Sequence, residues 1–139
     1  MTADYTKLKS VLDAAYSQSA EGKGKERHAN GKDFDRQPIL EIGRMVGTGF
    51  QIGQVMKKAQ EAQSMASRSD NDSAMQELLG VIVYAAAAVV QLAEQNDTKR
   101  KDAAARNGEV YKPASYAPRK ANLSEALQAV DAAARNGEV

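Results

Sequence analysis

The stretch Met75–Ala93, MQELLGVIVYAAAAVVQLA, sets the terms on which this chain can fold. Between Glu77 and Glu94 it carries no charge, and Gln91 is its one strongly polar residue. The segment reads as a helix, and a helix that is apolar all round has to be covered by protein or by lipid. Spanning a bilayer takes about 20 apolar residues, more than this uncharged run offers. The sequence therefore predicts a central, buried helix of a bundle, with no membrane involvement and a cytoplasmic location.

The rest of the chain has to supply that cover. Its 139 residues make one domain, or one small domain and a tail. The core must come mainly from Ala, Leu, Val, Ile and Met, because aromatic residues are few and Trp is absent. Such a core buries little area per residue, which favours a homo-oligomer over an isolated monomer. A formal charge of +1 gives no global pull toward nucleic acid or an anionic membrane. Without cysteine, disulfides, thiolate metal sites and cysteine nucleophiles are excluded. The N-terminus interleaves acidic and basic residues and lacks the apolar stretch of a secretory signal.

In chain order, Thr2 is placed to cap a first helix, with Asp4 in its first turn. Leu8, Val11, Leu12 and Ala15 then form one apolar stripe, bordered by Tyr5 and Tyr16. Residues Glu21 to Arg36 make a polar loop of five basic and four acidic side chains, with Phe34 as its one large apolar group. Lys23, Lys25, Arg27, His28, Lys32 and Arg36 of this loop are candidate contacts for a small anionic ligand. No Walker pattern (GxxxxGK followed by Ser or Thr) accompanies them. Pro38 opens a short second helix that stops near Gly47. Thr48 and Gln51 have capping-box spacing for a third helix, Phe50 to about Met65.

Two small-residue spacings, Gly43–Gly47 and Gly49–Gly53, fall in succession. Glycine in a helix interior is costly, so the repetition suggests close backbone approach. The sequence predicts that Gly43, Gly47, Gly49 and Gly53 pack against Ala85 and Ala88 of the apolar run. Reading GTGFQIG as a dinucleotide loop fails on spacing, and no strand precedes it. Residues 66–72, ASRSDND, are a turn, after which Ser73 with Gln76, or Asp72 alone, caps the central helix. The third and fourth helices then form an antiparallel hairpin.

After Gln95 the composition changes. Lys99 to Lys120 holds seven basic and two acidic residues, interleaved with Tyr111 and Tyr116. The predicted organisation is a bundle over 1–95, a basic flexible or extended linker over 96–121, and a short amphipathic helix over 122–139. Leu123, Leu127 and Val130 lie on one face of that last helix, which suits docking on its own bundle or on a protein partner. The nonapeptide DAAARNGEV occurs twice, at Asp102–Val110 and Asp131–Val139, each copy reading as a final Ala-rich helical turn closed by Asn-Gly.

Little catalytic chemistry is available. The single histidine, His28, sits in a polar loop, and no serine has another base to pair with. What remains is carboxylate chemistry with Mg2+. KKAQEA at Lys57–Ala62, the acidic turn after it, and QELLGVIVYAAAAVV at Gln76–Val90 resemble the second half of an all-α nucleotide pyrophosphohydrolase of the MazG-like superfamily. The resemblance covers residues 39–95. It implies an oligomeric helical bundle that cleaves nucleoside triphosphates to monophosphate and pyrophosphate with Mg2+, and Glu77, Glu61 and Glu41 as the carboxylates able to gather the metal. Gly80, or Val81 in a shifted register, stands where that family has an aspartate, and Lys57 and Lys58 stand where it has acidic residues.

The residues favour an all-α, oligomeric, non-enzymatic binding or assembly protein without a cofactor. It would engage a protein partner or a small anionic ligand, a make-up met among small interaction proteins of phages and mobile elements. The pyrophosphohydrolase is the alternative. Nucleic-acid binding through the basic arm ranks third, since no recognition fold accompanies the charge.

Overall fold

The computed structural model describes residues 2–22 and 31–112. Among them are four α-helices and one 3-10 turn, with no strand: α1 (Thr6–Ala20), the turn Phe34–Arg36, α2 (Pro38–Val46), α3 (Gly49–Ser67) and α4 (Asn71–Asn107). The fold is all-α, a small helical bundle. The chain divides into two compact units, one of Tyr5–Glu94 and one of Met1–Asp4 with Gln95–Val139.

Within the first unit, α1 begins later than Thr2 and Asp4 suggest, with Tyr5 at its N-cap and no side-chain cap hydrogen bond. Ala15 of its apolar stripe is buried, whereas Leu8, Val11 and Leu12 stay exposed. Pro38 opens α2, whose buried residues are Leu40 and Gly43. Gly47 ends it at φ 96°, a left-handed conformation that glycine adopts without strain.

The expected capping box at the start of α3 is absent. The Thr48 side chain makes no cap hydrogen bond, and Gln51 is fully buried. Gln51 Nε2 instead finds amide and carbonyl acceptors inside the bundle, while its buried Oε1 has no partner among the described residues. The turn between α3 and α4 is closed by Ser69 at φ 61° and by the Asp70 N–H, which donates to the Met65 carbonyl at 3.0 Å. Asp70 is the cap of α4, since its Oδ1 accepts the Ser73 N–H at 3.2 Å. Ser73 and Asp72 lie inside the first turn instead. Gln51 meets Gln91 and Lys58 meets Glu77, so α3 and α4 run antiparallel.

In the second unit, the composition predicts an extended linker from residue 96, yet helix continues to Asn107. No proline occurs between Pro38 and Pro113, and Lys, Arg and Ala are good helix formers. The helix ends at Gly108, φ 68°, where the Glu109 N–H donates to the Ala104 carbonyl at 2.9 Å. The first DAAARNGEV copy is thus a final helical turn closed by Asn-Gly. Beyond it the Tyr111 phenol is raised above its ordinary value by desolvation and by the Asp97 carboxylate. The second copy and the docking residues Leu123, Leu127 and Val130 lie outside the described residues.

Candidate assembly surface

The apolar run of α4 has one face that the bundle covers and one that it leaves open. The covered face carries the buried residues Ala74, Gly80, Ala87, Ala88 and Gln91. Its centre is a clasp of amides. Gln91 Nε2 donates to the Gly43 carbonyl at 2.7 Å. Gln51 Nε2 donates to Gln91 Oε1 at 2.7 Å and to the Ile39 carbonyl at 2.9 Å. Buried amides need such partners, and these join α2, α3 and α4. The absence of a side chain at Gly43 makes the clasp possible, because a Cβ there would run into both glutamine amides.

Two ion pairs bracket the apolar run on this same face. Arg44 of α2 grips Glu94 with two parallel hydrogen bonds, Nε to Oε2 at 3.0 Å and Nη2 to Oε1 at 2.7 Å. That contact raises the Arg44 guanidinium further above its ordinary value, so it stays charged. Lys58 of α3 reaches Glu77 at 2.8 Å, half-buried, along a stem that passes where a Cβ on Gly80 would meet it at 3.2–3.4 Å. Phe50 and Tyr84 add an edge-to-face ring contact, centroids 6.3 Å apart.

The opposite face is apolar and open. Met75, Leu78, Val89 and Leu92 are between 48% and 59% exposed. Ala85 and Ala86 between them are exposed, and Ile82 is half-buried. The helix is long and apolar enough to cross a membrane by length and composition, and 22% of its apolar window is buried. The expectation of a fully buried central helix is therefore corrected: three neighbouring helices of this length surround only part of its circumference.

The predicted glycine–alanine contact is corrected in the same way. Of Gly43, Gly47, Gly49 and Gly53, Gly43 alone approaches a neighbour closely, and it meets glutamines rather than alanines. Gly47 serves the turn, and a Cβ placed on Gly49 or Gly53 would have no neighbour within 4 Å. Ala85 faces outward while Ala88 is buried. The carboxylates proposed for Mg2+ are not brought together. Glu77 pairs with Lys58, Glu61 with Lys57 at 3.6 Å, and Glu41 lies 4.0 Å from Lys32. Among the described residues no group of three or more His, Asp or Glu is placed to hold a metal ion. The residues present do not fit that metal set. Of the candidate anion-binding loop, Lys23, Lys25, Arg27 and His28 lie outside the described residues. Lys32 and Arg36 are exposed, and Phe34 between them is half-buried.

Sequence reasoning missed the amide clasp, the two interhelical ion pairs and the open face of α4. One signal was available: Gln91 is a lone polar residue in an apolar run, and a buried amide demands a partner elsewhere in the chain. Compared with protein-family models, curated proteins and solved structures, the chain matches none.

Proposed function

We propose that this protein works by association rather than catalysis, as an oligomeric helical module that presents the outward face of α4 to another helix. One observation carries this reading. In the single chain the side chains of Met75, Leu78, Val89 and Leu92 remain about half exposed on a face without charge. A contiguous apolar strip of this kind marks a surface for interaction with protein or membrane. The interhelical pairs Lys58–Glu77 and Arg44–Glu94 support it, because they occupy the charges at both ends of the strip on the side of the bundle. A protein helix is the favoured partner, since the strip has no group to hold an anion.

Light scattering on the full chain tests the proposal. The expected mass is a multiple of the 14.9 kDa chain, falling to that of one chain in Val89→Glu, whose site is exposed in the bundle. A wild-type chain of single mass at high concentration would sink the assembly reading. Incubation with nucleoside triphosphates and Mg2+ should release no pyrophosphate. Turnover abolished by Glu77→Gln would replace assembly with the pyrophosphohydrolase.

A further inference from the structure

We propose that a second copy of this chain covers the outward face of α4, the two helices forming a parallel, in-register, two-stranded coil. The inference rests on the assembly reading and names its partner. Met75, Leu78, Ile82, Ala85, Val89 and Leu92 follow one another at alternating spacings of three and four residues. Those spacings keep one side of a helix facing a partner, as in a left-handed helix pair, and exposure rather than composition picks them out, since neighbouring positions are apolar too. The covered face of α4 is centred on the buried Gly80, Ala87 and Gln91 on the other side, with the buried Ala74 and Ala88 at its margin beside the strip. Among the described residues the strip stays exposed at Met75, Leu78, Ala85, Val89 and Leu92 and is half-buried at Ile82.

Residue identities within the repeat select the partner. In coiled-coil register Met75, Ile82 and Val89 occupy the a positions, and Leu78, Ala85 and Leu92 the d positions. Ile82 and Val89 at a with Leu78 and Leu92 at d follow the pattern, β-branched at a and leucine at d, that favours two parallel strands, while Met75 and Ala85 depart from it. The next a position in the count is Asn96, which is exposed. An asparagine there pairs with its own counterpart's amide and fixes register.

Charge agrees. In a parallel pair each g residue flanking the seam faces an e residue of the other copy, so like charges there would repel. The flanking Leu79, Val81, Ala86 and Ala93 are uncharged. The nearest carboxylates, Glu77 and Glu94, are engaged by Lys58 and Arg44.

Size sets the strength. At 1.5 Å rise per residue the strip is about 26 Å long and offers on the order of 500 Å2 of accessible surface per copy. About 1,000 Å2 for the pair sits at the lower edge of a specific interface. A bilayer is the poorer occupant: Lys58 of α3 lies against the same helix, paired with Glu77, and would be carried toward hydrocarbon.

The chain has no cysteine, so single-cysteine cross-linking reads the geometry directly. Leu78→Cys and Leu92→Cys are prepared separately in the full chain and oxidised with copper phenanthroline, and the products are separated under denaturing conditions. Each variant alone should yield a disulfide dimer, and adding Val89→Glu should lower the cross-linked fraction about tenfold. Unchanged far-ultraviolet circular dichroism would show that Val89→Glu leaves the bundle folded. Cross-linking confined to a mixture of Leu78→Cys with Val89→Cys would mean antiparallel helices and overturn the proposal. A multiple mass with no cross-link at any of these positions would overturn it while leaving the assembly reading standing. A single mass without cross-links would overturn both. Flotation of the chain with phosphatidylcholine vesicles in place of dimer would assign the face to lipid.

Discussion

Glycines that look alike in the sequence do opposite things in the bundle. Gly43 lies under the Gln51 and Gln91 amides, and a Cβ there would run into both. Gly43→Ala should cost about 1–3 kcal/mol, the usual penalty of overpacking, read as a lower urea midpoint. Gly53 has open space where its Cβ would be and sits inside α3. Gly53→Ala should therefore stabilise by roughly 0.5–1 kcal/mol, through restriction of the unfolded chain. The spacing GxxxG suggests a shared role for these residues. Spacing places two glycines on one helix face without saying whether anything faces them. Gln91 is similar: its position in an apolar run is plain, while its partners Gly43 and Gln51 lie 48 and 40 residues away in sequence.

At the level of elements, helices α2 and α3 fall where their periodicity puts them, because Pro38, Gly47 and the 66–72 turn are local signals. Caps are harder to place. Ser73 with Gln76 and Asp70 with Ser73 are both acceptable capping pairs, and the structure uses Asp70. Asp70→Ala should lower stability by about 1 kcal/mol, measured by thermal unfolding. Ser69→Gly should raise it, since a non-glycine residue at φ 61° carries a left-handed strain of about 1 kcal/mol. The far end of α4 runs beyond the point its composition suggests. A rise in charge after Gln95 signals solvent, and a solvated segment of Lys, Arg and Ala is still a good helix.

For the whole molecule, the decisive quantity is how much of α4 the other described helices cover. If a second copy supplies the remainder, the melting temperature of the wild type should rise with protein concentration, by mass action. Val89→Glu should remove that dependence while keeping the helical signal. Scanning calorimetry across a hundredfold concentration range checks both. The carboxylates Glu41, Glu61 and Glu77 also belong at this scale, because each is engaged by a lysine rather than gathered with the others.

By itself the sequence determined the all-α class, the approximate positions of α2 and α3, the apolar character of α4 and the absence of cysteine chemistry. These follow from composition, periodicity and local breakers, which act within a few residues. Only the tertiary structure decided which of the paired glycines is closely approached, which glutamines meet, and which half of α4 the other described helices leave uncovered. Those outcomes depend on how helices far apart in sequence are rotated against one another, and an apolar run that reads the same on every face carries no record of that rotation.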